Sequence, residues 1–303
     1  MRIIFTIVLL HCVLTSTFSQ NKKSTLTIAK ADSLVFAGDF KTAKDVYDKV
    51  MDENIKDAGA WSRYGLANLN LKNYLEAVRL LEKGLSQSPP TPVKVNTYAR
   101  LARAYANTNN NSKALVCLDS AATLGYTNLS LVDTHDDFKG LREDPRFKEI
   151  RNHIYLNVNP CMTNPKAREF DFWLGDWDVY VTGTKNVAGH NKIELSSGGC
   201  ALLENWDSNG GSGKSLNFID PKTGKWKQTW VGSSPNGIQE FTEGEYKEGA
   251  MRFVFESTRN GQKLMGRFIF FNEKPGQVRQ FNETSADGGK TWVTSYDFTY
   301  IRR

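Results

Sequence analysis

The stretch FDFWLGDWDVYVTG, residues 170–183, is where the chain changes character. Before it, apolar residues recur at helical spacing; from it onward they alternate with polar ones, the period of a strand with one buried face. Nine more such segments follow: NKIELSSGG, CALLENWD, SLNFID, KWKQTWVG, GIQEFTEGEYK, AMRFVFEST, QKLMGRFIFFNE, QVRQFNETS and KTWVTSYDFTYIR. The turn signals DPKTG, RNG, KPG and DGG separate several neighbours. Short sequential strands with no helix-length gaps predict an up-and-down antiparallel sheet of about ten strands. Closing it into a barrel removes the edges it would otherwise expose.

The half before it carries an internal repeat. GDFKTAKDVYDKV (38–50) and LKNYLEAVRLLEKG (71–84) superimpose with Ala43 on Ala77, 34 residues apart, and NNNSKALVCLDSA (109–121) puts Ala114 at the same place. In the second copy Trp61, Tyr64, Gly65, Tyr74, Ala77, Leu81 and Pro89 alternate large, small and helix-breaking residues. Small residues let two helices cross closely, and proline stops the second helix. Residues 24–125 thereby resemble the tetratricopeptide repeat family. Asn68 and Asn111 depart from its pattern, and the first copy lacks a starting aromatic and a closing proline. The resemblance implies an all-α solenoid whose concave groove holds a protein partner. DTHDDFKGLREDPRFKEIRNHI (133–154) reads as a short and a longer helix, with Phe138, Leu141, Phe147 and Ile150 under a charged cover. Similar tails cap many such arrays.

The chain is thus expected to be an α+β multidomain protein, with helical repeats and caps at 20–157, a linker at 158–168 and the barrel at 169–303. Residues 1–19 have the charged start, short apolar middle and small-residue exit of a cleavable signal peptide. No other stretch approaches the roughly 20 apolar residues of a membrane span, so a periplasmic or extracellular protein is expected. Lipidation at Cys12 would need small residues where LLH stands. The formal charge of +6 is spread without a basic stripe, which argues against nucleic-acid binding. Beyond Cys12 three cysteines remain, Cys117, Cys161 and Cys200. Two readings stand: Cys161 and Cys200 pair in an oxidising compartment, or all three are unpaired buried thiols. Their spacing, and only four histidines, match no metal site.

Gly175-Asp176-Trp177 is the GxW arrangement that opens the first strand of lipocalins. Together with CALLENW, TGKWKQTWV and DGGKTW, it makes 169–303 resemble a group of uncharacterised bacterial barrel domains in the broad lipocalin and fatty-acid-binding-protein class. The resemblance implies an interior cavity, with Trp177 plugging the closed end under a basic residue, Arg302 or Arg303 here. Haem-binding relatives use a histidine near the end of the domain, where this chain has none, and no cofactor is expected.

Two stretches imitate enzyme motifs. SADGGKTW (285–292) fits the Asp box of sialidase propellers, but that pattern builds a turn, with Asp287 and Ser285 bonding backbone, Gly289 at positive φ and Trp292 packed beneath. A sialidase also needs a propeller, an arginine cluster and a tyrosine nucleophile. GGSGKS (210–215) lacks the first glycine of a phosphate loop, since residue 208 is Ser, and no helix follows; it reads as an inter-strand loop. His190 in NVAGHNK is expected in a loop.

A pocket is the remaining candidate. Cys200, Leu202, Glu204 and Trp206 share one face of their strand, and Trp226, Gln228 and Trp230 share another. QVRQFNETS offers Arg279 and Glu283 on one side and Gln280 and Asn282 on the other, and Arg279 and Glu283 are the chosen pocket candidates. These residues either line a ligand cavity or fill a small core. Three functions are carried forward: a non-enzymatic binding protein with a protein partner on the repeats and a small apolar or amphipathic ligand in the barrel; an enzyme using Glu204 or Glu283 as general acid or base; and a structural scaffold at the envelope.

Overall fold

The computed structural model describes residues 26–233, 238–259 and 261–303. The signal peptide expected at 1–19, and Cys12 within it, lie outside them. The chain divides into two compact units between Ala104 and Tyr105.

In the first unit, polar residues start the helices. Thr27, Asp39 and Asp57 each accept a bond from a backbone N–H three residues on, opening α1 (Ile28–Phe36), α2 (Phe40–Val50) and α3 (Ala58–Asn70). Then come α4 (Tyr74–Ser86) and the start of α5 (Thr91–Asn107). The helices α1 to α4 pack each on the next. Ala31, Ala43, Tyr47, Trp61, Tyr64 and Leu80 are among the residues of their shared core. A Cβ on Gly65 would stand 2.6 Å from Leu81 Cγ, so glycine is what lets α3 and α4 approach. Asp32 holds Arg63 through two bonds of 2.6 and 2.7 Å and accepts the Tyr47 hydroxyl, tying α1 to α2 and α3.

The second unit contains α6 (Asn111–Thr123), α7 (Leu129–Thr134) and α8 (Pro145–Val158), with α8 against α6 and α7. Phe138, Leu141, Phe147 and Ile150 are buried there. Short 3-10 turns at Pro160–Met162, Pro165–Arg168 and Asp171–Trp173 lead into the barrel. Cys161 is bonded to Cys200 across this entry, and Arg168 donates to the Gly199 carbonyl.

The strands are β1 (Gly175–Val181), β2 (Val187–Ser196), β3 (Ala201–Ser208), β4 (Gly211–Ile219), β5 (Trp226–Gly232), β6 (Ile238–Lys247), β7 (Ala250–Arg259), β8 (Gln262–Lys274), β9 (Gln277–Ser285) and β10 (Val293–Arg302). Each pairs antiparallel with its sequence neighbour, and β1 closes the barrel on β10 with Trp177 opposite Arg302. One end is filled. Phe170 and Trp173 enter it from the 3-10 turn and join Trp177, Trp226, Phe253 and Phe270 in a fully buried aromatic core. The Trp177 indole donates to the Trp173 carbonyl at 2.9 Å, and the Arg302 guanidinium lies 4.6 Å above the Trp177 ring while bonding the Leu174 carbonyl. Gly175, at φ +139°, leaves the room Arg302 needs.

Two sequence expectations fail locally. GGSGKS is not a loop: β4 begins at Gly211, and Gly213 pairs with both Trp206 and Gly232. A Cβ there would collide with the Trp230 indole, so the glycine makes room for a ring. His190 lies within β2, on its exposed side, 2.7 Å from Asp178. The turn after β9 is built by side chains: Asp287 accepts from the backbone of Lys290 and Thr291 at 2.9 Å, Ser285 from that of Gly289 at 2.8 Å, and the Trp292 indole donates to the Gly289 carbonyl. The Thr291 hydroxyl, which donates to Asp287 at 2.7 Å, then the Thr291 backbone N–H and the Ser285 hydroxyl hold the Asp287 carboxyl well below the usual carboxylate range.

Candidate functional site

Strand alternation turns one set of side chains inward at each step. On β2 these are Gly189, Asn191 and Ile193; on β3 Leu202, Glu204 and Trp206; on β4 Gly213, Ser215 and Asn217. The register sets Glu204 opposite Ser215 and Asn217 opposite Gln228, so polar groups from neighbouring strands converge. Glu204 accepts from Asn191 Nδ2 at 2.6 Å, Ser215 Oγ at 2.5 Å and Gln228 Nε2 at 3.1 Å. Asn191 also donates to the Tyr300 hydroxyl, which donates in turn to Gln280 at 3.1 Å.

This network floors a cavity of about 560 Å³. Trp206, Trp230, Phe241, Phe255, Phe268 and Phe298 form its apolar walls, with Gln280, Asn282, Tyr296 and Tyr300 facing them. Trp206 stacks on Phe298 at 6.1 Å, and Tyr296 on Phe298 at 4.9 Å. At the other end the lining residues Arg259 and Ser295 are exposed, so the cavity opens to solvent there. The mouth is opposite the filled end.

Glu204 is 3% exposed. Burial pushes its carboxyl above the usual range, against the pull of its three hydrogen bonds, and no cation takes part in the balance. Burial likewise raises the Tyr296 and Tyr300 hydroxyls, with the Glu204 charge adding to the effect. The floor therefore favours uncharged forms. Among the described residues no group of three or more His, Cys, Asp or Glu side chains could hold a metal ion.

Of the pocket candidates, Glu204, Trp206, Gln228 and Trp230 come together in the lining. Three others do not. Trp226 is 1% exposed within the aromatic core at the filled end and donates to Glu169 at 3.1 Å. Arg279 faces outward and grips Asp297 with two bonds of 2.8 and 2.6 Å, and Glu283 pairs with Arg267 at 3.2 Å outside the barrel. On β9 it is Gln280 and Asn282 that point in. Cys200, expected to share a face with Glu204, precedes β3 and is the partner of Cys161.

Sequence reasoning also passed over Asn191, Ser215, Asn217, Tyr296, Phe298 and Tyr300. For the last three a signal existed, since TSYDFTY places aromatics at 296, 298 and 300, one face of a strand. Ser215 and Asn217 lie in the strand read at SLNFID, but there they alternate with Leu216 and Phe218, so the polar pair reads as the outward face.

No protein-family model matches this chain, and a search of curated proteins finds no match to it.

Proposed function

We propose that the chain is an exported binding protein in which the barrel holds a small apolar or amphipathic molecule and the helical half, read as a tetratricopeptide-like solenoid, engages a protein partner. One observation carries the ligand half of this reading: a solvent-connected cavity of about 560 Å³, walled by aromatic rings, ends on a polar network. A volume of that order suits a small organic ligand, and apolar walls with a few placed polar groups give orientation. The α1 to α4 stack, with small residues at its crossings, supports the partner half.

The test is native mass spectrometry of residues 20–303, purified from an exporting host without detergent and then denatured. The reading expects an added mass that leaves on denaturation. A clean mass, with no uptake of a hydrophobic dye such as 1-anilinonaphthalene, would overturn it.

A second reading is favoured by one feature. Glu204 sits in a solvent-connected cavity with no cationic partner, where burial raises its pKa toward the working range of a general acid or base. Conversion of the released molecule by excess protein, abolished in Glu204→Gln, would establish an enzyme. Recovery of that molecule unchanged leaves the binding reading.

A further inference from the structure

The polar floor is unevenly supplied with donors and acceptors. On the side formed by β2 to β5, the Asn191 amide, the Ser215 hydroxyl and the Gln228 amide all donate to Glu204. The Asn217 amide donates to the Leu202 carbonyl and to Ser215. What remains is acceptor: Asn191 Oδ1, Asn217 Oδ1 and Gln228 Oε1 are buried with no hydrogen-bond partner. Gln228 is 1% exposed and lines the cavity beside Glu204. A buried unpaired carbonyl costs roughly 1–3 kcal/mol, which a donating ligand would recover.

Charge points the same way. Glu204 is the acidic residue of the cavity lining, and the basic one, Arg259, stands exposed at the mouth. An anionic head on this side of the floor would meet the Glu204 carboxyl and the unpaired Gln228 carbonyl, with the Asn191, Ser215 and Gln228 donors already engaged by Glu204. An ammonium would meet acceptors below, with the aromatic side chains Trp206, Trp230 and Phe298 around its apolar body. The opposite side, with Gln280, Asn282, Tyr296 and Tyr300, offers both donors and acceptors and accommodates a neutral polar group.

Resting on the binding reading above, we infer that the barrel takes a small aromatic or amphipathic amine, its protonated nitrogen seated on Glu204 and Gln228 and its apolar body between the aromatic walls. Glu204 becomes ionised in the complex: where it was protonated beforehand, the carboxyl proton passes to solvent as the ammonium takes its place. The other titratable groups facing Glu204 are Tyr296 and Tyr300, both held neutral by burial.

The experiment is calorimetric titration of the mature full chain with three probes of one shape: tryptamine, its neutral analogue tryptophol, and the anion indole-3-acetate. Near neutral pH, tryptamine should bind at least about tenfold more tightly than either analogue, the span of one charge-assisted hydrogen bond. Glu204→Gln should remove that preference, so that tryptamine and tryptophol bind the variant within about twofold of each other. Should the variant not fold, the wild type decides. Its tryptamine affinity should rise from about pH 5 to about pH 7.5, over which an ordinary amine of pKa about 10 stays charged, and binding should release protons. A flat profile, equal or better binding of indole-3-acetate, or an unchanged preference in Glu204→Gln overturns the amine assignment. Tryptophol binding without a preference sinks this inference alone, whereas no binding by any probe, dye included, sinks the cavity reading with it.

Discussion

Asn191 donates to Glu204 at 2.6 Å although the register sets Asn191 opposite Trp206 and Glu204 opposite Ile193. The contact is a diagonal one across β2 and β3, of the kind long polar side chains make on one sheet face. It fixes the carboxyl under the aromatic walls.

Burial raises the Glu204 carboxyl above its ordinary value of 4.5. Between that value and the higher folded one, the native state holds a proton that the unfolded chain has lost, so stability falls as pH rises across the interval. Below it, the contribution is fully present. Glu204→Gln has no such slope, so its melting temperature relative to wild type should increase from about pH 4 to about pH 7.5. A constant difference across that range would mean Glu204 ionises in the folded barrel as readily as in water.

Gly213 lies beneath the Trp230 indole, where a Cβ would collide with the ring. Gly213→Val should force the ring toward the cavity and destabilise the chain by about 1–3 kcal/mol, as overpacking does. Urea unfolding followed by tryptophan fluorescence measures it. A neutral effect would show that Trp230 moves freely.

That glycine also explains part of what the sequence concealed. The ten strand segments and the turn at Asp287 are legible because each rests on local alternation or local hydrogen bonds, whereas a basic residue over Trp177, far off in sequence, is implied only by the resemblance of the GxW start. GGSGKS is not, since glycine is a poor strand former and its reason for standing in β4 is a ring on the adjacent strand. Orientation is hidden for a second reason. In QVRQFNETS both faces carry polar and apolar residues, Phe281 outward with Arg279 5.3 Å from its ring, Val278 inward with Gln280 and Asn282, so alternation marks the strand but not which side is inside. Only neighbouring strands, through the Tyr300–Gln280 bond and the Arg279–Asp297 pair, decide it.

The bond between Cys161 and Cys200 closes a loop of sequence separation 39. Chain entropy assigns such a closure roughly 4 kcal/mol, most of it through the unfolded state. Replacing both cysteines by serine should lower the barrel's unfolding midpoint accordingly while leaving the described helices α1 to α4 intact by circular dichroism. An unchanged midpoint would mean Arg168 and the 3-10 turns hold the entry segment by themselves.

Arg302 contributes through its plane. Its guanidinium covers the Trp177 ring at 4.6 Å and bonds the Leu174 carbonyl at 2.8 Å. Arg302→Ala should cost about 1–2 kcal/mol, and Arg302→Lys should recover only part, because a compact ammonium cannot cover the ring and reach the carbonyl together. Thermal melts of the three proteins test the ranking, and full recovery by lysine would reduce the interaction to charge alone.

Arg279 and Gln280 are neighbours in sequence with opposite fates, and a pair of variants separates the two faces of β9. Arg279 is outside, paired with Asp297 at side-chain exposures of 35% and 24%. Arg279→Ala should therefore cost only about 0.5–1 kcal/mol, the range of a partly exposed pair, and leave tryptophol affinity within about twofold. Gln280→Leu keeps the volume but leaves the buried Tyr300 hydroxyl without its acceptor, worth about 1–2 kcal/mol of stability. It also removes an amide from the cavity wall, so tryptophol affinity should change by about fivefold or more. Because the two positions share a strand and a backbone, a loss of binding common to both would indicate damage to β9 as a whole. A loss confined to Gln280→Leu locates the ligand inside the barrel, on the face that alternation alone left open.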